Sequence, residues 1–115
     1  MEATSLVSAM WALIPPPPPG APGPFALSAA GALNAFATGA GLTPVDVFDI
    51  SAPLDYPDLA TAIRALNASC GSVRVMELSS EQAVSDVYVK ALAPFRQSDG
   101  SYHVSANFRC LLARA

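Results

Sequence analysis

The chain carries one histidine, His103, two cysteines, Cys70 and Cys110, and nine carboxylate side chains. An imidazole becomes an effective general base when a carboxylate orients it and a substrate surface lies beside it. The stretches "APLDYPD" and "SDGSYH" offer such parts: Asp55, Asp58 and Asp99 as orienting carboxylates, with Tyr56 and Tyr102 as neighbouring aromatic surface. Trp11 and Phe95 are further apolar candidates for holding a substrate. Together these residues match weak hydrolysis of an activated ester, lactone or phosphoester, with His103 activating water. Each also has a purely structural explanation. A histidine on the polar face of a strand is commonly solvated, and Asp55 and Asp58 flank Pro57 where carboxylates cap a helix start. The tyrosines can cover apolar surface with their hydroxyls in water.

Composition removes several alternatives. The net charge is −3 and the pI about 4.7, with the six basic residues scattered along the chain. Phosphate binding needs clustered cations, so nucleic acid is not an expected partner. Neither cysteine lies in a CxxC pair, which leaves no structural zinc site and favours two buried free thiols. A metal site would need ligands from a symmetric dimer. The opening "MEATSLVSAMWALI" has no basic leader, and its apolar run stops at Pro15, too short to span a bilayer. A soluble cytoplasmic protein without a membrane segment is the expectation. Apolar residues make up 52% and charged ones 13%, so burial against a partner is expected as well.

The elements that must position the candidate residues follow from periodicity. Residues 1–14 predict a helix, with Leu6, Met10, Leu13 and Val7, Trp11, Ile14 at helical spacing. Residues 15–27 form a proline-rich connector whose first five prolines run as a polyproline II rod; a proline-rich ligand for a recognition module is the alternative, and a rigid connector is commoner for so short a run. Residues 28–115 form an α/β core. Ser28 caps a helix bearing Leu33, Phe36, Ala37 and Ala40 on one side, and Gly41 ends it. Thr43–Ser51 is a strand. Pro57 opens a third helix, with Leu59, Ile63 and Leu66 inward and Gly71 past its end. "SVRVMEL" reads as strand or loop. Ser79 and Gln82 form a capping box for a helix whose stripe is Val84, Val87, Tyr88, Ala91, Leu92 and Phe95. From Ser101 to Leu112 the pattern alternates, with Tyr102, Val104, Ala106, Phe108, Cys110 and Leu112 on one face, as in an antiparallel strand.

The segments "PPPPPGAPGPFALS", "GLTPVDVFDISAPLDYPDLATAIRAL" and "LAPFRQSDGSYHVSANFRCLLARA" resemble the C-terminal part of bacterial class I S-adenosylmethionine-dependent methyltransferases. The resemblance implies a Rossmann-like sheet in which Thr43–Ser51 is the sixth strand and Ser101–Leu112 the antiparallel seventh. Met1 then falls in the segment after the fifth strand. The acidic-glycine loop and the acidic residue with which that family binds its cofactor have no counterpart here, so no autonomous S-adenosylmethionine site is expected. His103, Cys110 and the Cys70-Gly71 pair depart from the family pattern. In this topology Asp55, Tyr56, Asp58, Asp99, Tyr102 and His103 would converge on one rim of the sheet.

The expected fold class is thus α/β, an α+β fragment with about four helices and a C-terminal antiparallel strand pair. Two strands seldom support themselves in water. Completion by a second copy, through strand edges or helix faces, or by a methyltransferase N-terminal half is therefore expected, with no cofactor of its own. A small hydrolase built on His103, or a binding module for a hydrophobic ligand between helices, are the alternatives.

Overall fold

The computed structural model describes residues 2–23 and 25–115. Met1, in the expected first helix, and Pro24, in the expected proline-rich connector, lie outside these residues. The fold is α+β, with five α-helices and two small antiparallel sheets among the described residues. The chain divides into two compact units.

The first unit holds the residues up to Pro16 and Ala52–Ala106. Its helices are α1 (Glu2–Trp11), α3 (Leu59–Asn67), α4 (Cys70–Leu78) and α5 (Glu81–Leu92), followed by a 3-10 turn at Ala93–Phe95. Strands β2 (Leu54–Tyr56) and β3 (Tyr102–Val104) pair antiparallel. Helix α5 is the hub and packs against α1, α3 and α4. Its residues Val84, Tyr88 and Leu92 recur every four positions and are fully or almost fully buried, with Leu6, Met10, Ala62, Val75, Tyr102 and Val104 around them. Burial of each large apolar side chain in this cluster stabilises by roughly 1.5–3 kcal/mol.

One polar knot sits inside this core. Ser69 Oγ donates to Ser72 Oγ (2.8 Å), and Ser72 Oγ donates its single proton to Leu66 O (2.8 Å). The Tyr88 hydroxyl, 2.6 Å from Ser72 Oγ, is therefore the donor in that pair. The Met10 sulfur lies 3.2 Å and 3.1 Å from the two hydroxyl oxygens. Four helices, α1, α3, α4 and α5, are tied together at a point where an unpaired hydroxyl would be costly.

The second unit holds Pro17–Ser51 and Asn107–Ala115. Here α2 (Ala32–Gly39) lies on a two-stranded sheet of β1 (Thr43–Ser51) and β4 (Asn107–Arg114). The antiparallel register runs from Thr43 opposite Arg114 to Ser51 opposite Asn107, with a bulge that inserts Val45 next to Pro44, a residue with no N–H to give the ladder. Beyond the bulge, Val47, Asp49, Leu111 and Arg109 share one face, and Phe48, Ile50, Phe108, Cys110 and Leu112 share the other. Ala37 is the one buried residue among those described in this unit.

Several boundaries differ from the sequence reading. α1 ends at Trp11, because a residue before proline disfavours helix, and Leu13 and Ile14 close with bonds to Met10 O and Trp11 O. Ser28 does not cap α2: its Oγ donates to Phe25 O in a turn, and Gly31 stands at the cap. Phe36 is exposed and Ala40 follows the helix end, so neither joins a buried side. Pro57 precedes the α3 cap, Asp58, and lies outside the first turn. "SVRVMEL" is helical because Ser69 accepts from Ser72 N and starts a new helix, which places Gly71 inside α4. A Cβ there would lie in ordinary van der Waals contact with the Met10 and Trp11 side chains, at 3.4 and 3.5 Å. Ser80, not Ser79, caps α5; Ser79 Oγ donates to Val75 O instead. The last strand is split at Ser105–Ala106, with Tyr102, Val104 and Ala106 buried but Phe108 and Leu112 exposed. Gly41 and Gly100 do take the left-handed conformation expected of them (φ 84° and 87°).

Leu92→Ala is expected to lower unfolding free energy by about 2–5 kcal/mol in a urea titration. Leu78→Ala, on the exposed end of α4, should change it by less than about 0.5 kcal/mol. Tyr88→Phe should cost about 1 kcal/mol, the net worth of its hydrogen bond to Ser72.

Candidate functional site

All eight candidate residues fall in the first unit. Strand pairing decides which of them meet. In the β2–β3 ladder Leu54 stands opposite Val104, Asp55 opposite His103 and Tyr56 opposite Tyr102. Side chains alternate between faces along a strand, so the Asp55–His103 pair points one way and the two flanking pairs the other. The burial follows: Tyr102 and Val104 are buried, Leu54 and Tyr56 half-buried, and His103 and Asp55 exposed.

Asp55 Oδ1 lies 2.5 Å from His103 Nδ1. This bond holds the proton on Nδ1 and leaves Nε2 as the basic nitrogen. The side chains are 46% and 64% exposed. Such a pair stabilises modestly, since water screens it on both sides.

The remaining carboxylates have backbone duties. Asp58 is the N-cap of α3 and accepts from Thr61 N at 2.7 Å, which holds its carboxyl below the usual carboxylate value. Asp99 accepts from the Ser101 hydroxyl (2.5 Å) and amide (3.0 Å) across the Gly100 turn, and its carboxyl is lowered by these bonds. Tyr56 belongs to the packed layer around the core; burial, and then the nearby Tyr88, push its phenol up. Trp11 and Phe95 pack against the same core. The structure thus brings together Asp55 and His103, and places Asp58, Asp99, Tyr56, Tyr102, Trp11 and Phe95 in capping, turn or packing roles.

Both cysteines are free, but Cys70 is exposed at the first turn of α4 and Cys110 half-buried, so they are not the two buried thiols expected. No group of three or more metal-ligating side chains occurs among the described residues. No helix among them is long and apolar enough to cross a membrane. In the second unit, an open hollow of about 340 Å³ is lined by Ala29, Ala30, Gly31, Leu33, Asn34, Val47 and Arg109. Sequence reasoning did not single it out, because its walls are small apolar residues without a motif. Arg109 is held there by Asp49 Oδ1 (3.2 Å) and Ser28 O (3.1 Å).

Because Asp58 and Asp99 are more acidic folded than unfolded, their stabilisation is complete above the ordinary carboxylate range and is lost as pH falls through their lowered folded values. The urea midpoint should therefore fall below about pH 4, and Asp58→Asn with Asp99→Asn should flatten that acid limb. A double-mutant cycle on Asp55 and His103 should return a coupling below about 1 kcal/mol.

No family model, no curated protein and no solved structure matches this chain.

Proposed function

We propose that this chain is the sheet-completing, C-terminal part of a class I methyltransferase-type domain, an assembly module without its own S-adenosylmethionine site. The second unit's sheet carries the reading. β1 and β4 are antiparallel neighbours, as the resemblance implies for that family's last two strands. On the face turned away from α2, Phe48, Ile50, Phe108 and Leu112 remain 42%, 46%, 54% and 57% exposed. Among large apolar side chains left this open, all but Val73, Leu78 and Val89 belong to this unit. A ribbon of two strands among the described residues, with a face that is apolar apart from Asp46, templates further strand pairing. The complement is the cofactor-binding half of such a domain. When the chain is alone, a second copy takes that place and forms a four-stranded sheet.

A second reading rests on the bond from Asp55 to His103. With Nδ1 engaged, Nε2 of His103 can take a proton from water as that water attacks an activated ester carbonyl; the tetrahedral intermediate then collapses with cleavage of the acyl C–O bond, and the proton on Nε2 passes to the leaving alcohol oxygen. In a hydrolase of this kind His103→Ala abolishes turnover; unchanged turnover removes the reading.

For the leading reading, light scattering should give the mass of a dimer, with β1 and β4 amides protected from hydrogen exchange. A folded monomer with those amides equally protected would overturn it. Calorimetry with S-adenosylmethionine should show no binding, and a saturable isotherm would count against an assembly module.

A further inference from the structure

The run Pro15–Pro19 plays no part in the reading above. From Ala3 to Val45 the chain contains no Asp, Glu, Lys, Arg or His, so the prolines lie within a long uncharged stretch. Proline fixes φ near −65° and has no N–H, so Pro15–Pro18 run as a polyproline II rod of about 12 Å before Pro19 and Gly20 turn the chain. All five are exposed, and none belongs to the side chains packed against the core. Ile14, immediately before them, does pack there, which anchors the rod at its start. The Pro18 carbonyl accepts from Ala21 N (3.1 Å); the carbonyls of Pro15, Pro16 and Pro17 have no backbone partner among the described residues. A strut inside a fold would bury ring surface, and all five of these residues are exposed.

We propose that Pro15–Pro19 is a docking ligand for a protein module whose groove is lined with aromatic side chains and has no charged specificity pocket. Aromatic faces pack on the proline rings, and indole or phenol donors take the free carbonyls. The rod is already in its bound conformation, so little ordering entropy opposes docking. Grooves that also read a flanking cation are poorly matched, because the basic residue nearest in sequence is Arg64.

The test titrates the full chain into three labelled probes followed by NMR: an EVH1 domain and a WW domain, with aromatic grooves, and an SH3 domain, whose groove adds an acidic pocket. Saturable binding to the EVH1 or WW groove, tighter than to the SH3 domain, is expected. The variant P16A/P17A/P18A should bind at least about tenfold more weakly, since alanine releases φ and restores N–H groups. It should still melt cooperatively, at a temperature lowered only by the backbone freedom that three alanines return to the unfolded chain, because the replaced rings are exposed. No saturation with either aromatic groove at millimolar protein would overturn the proposal. So would equal binding by the variant, or a preference for the SH3 domain.

Discussion

The contact on which the first unit depends is the stripe of α5 pressed against α1, α3 and α4. Val84, Tyr88 and Leu92 supply the apolar surface. The Tyr88 hydroxyl, meeting Ser72 and Met10, sets the rotational register of three helices at one point. Dispersion and burial alone tolerate a helix sliding by part of a turn. A buried hydroxyl does not, because a displaced donor in this environment loses its partner without regaining water. The packing of Trp11, Phe95, Tyr56 and Tyr102 against this cluster follows from the same arrangement.

The second unit lacks an equivalent centre. One helix of eight residues covers one face of a two-stranded sheet, and Ala37 is too small to create a core. The Asp49–Arg109 pair and the bond from Arg109 to Ser28 O tie the α2 side together. On the other side Phe48, Ile50, Phe108 and Leu112 stay in water. A ribbon of this width has too little area to hide both faces, so its composition is that of a buried strand pair without the layer that would bury it.

The candidate site was legible in part. His103 could be named because it is the single histidine, and the strand pattern around it placed it on a polar face; Asp55 was one of several aspartates in the neighbouring loops. Their pairing could not be read, since β2 is only three residues long and lies in a stretch rich in proline and aspartate. Once β2 pairs with β3, period-two alternation separates the tyrosines from the histidine. Of Asp55 and Asp58, both expected as caps beside Pro57, Asp58 caps α3 and Asp55 bonds His103 instead; Asp99 closes a turn. Local hydrogen bonds to Thr61 and Ser101 account for Asp58 and Asp99.

Local sequence by itself determined the elements whose causes are local. The stripe of α5, the strand at Thr43–Ser51, the turns at Gly41 and Gly100 and the alternation near the C-terminus all arise from spacing and backbone preference within a few residues. Tertiary structure decided the rest. "SVRVMEL" became a helix because Val75 is buried against α5 and Ser72 bonds to Tyr88, contacts that outweigh the strand preference of its valines. The single alternating segment at the C-terminus became two strands because its ends pair with different partners, β2 and β1. Which of its apolar residues are buried depends on what lies across the sheet, and no pattern within one strand carries that information.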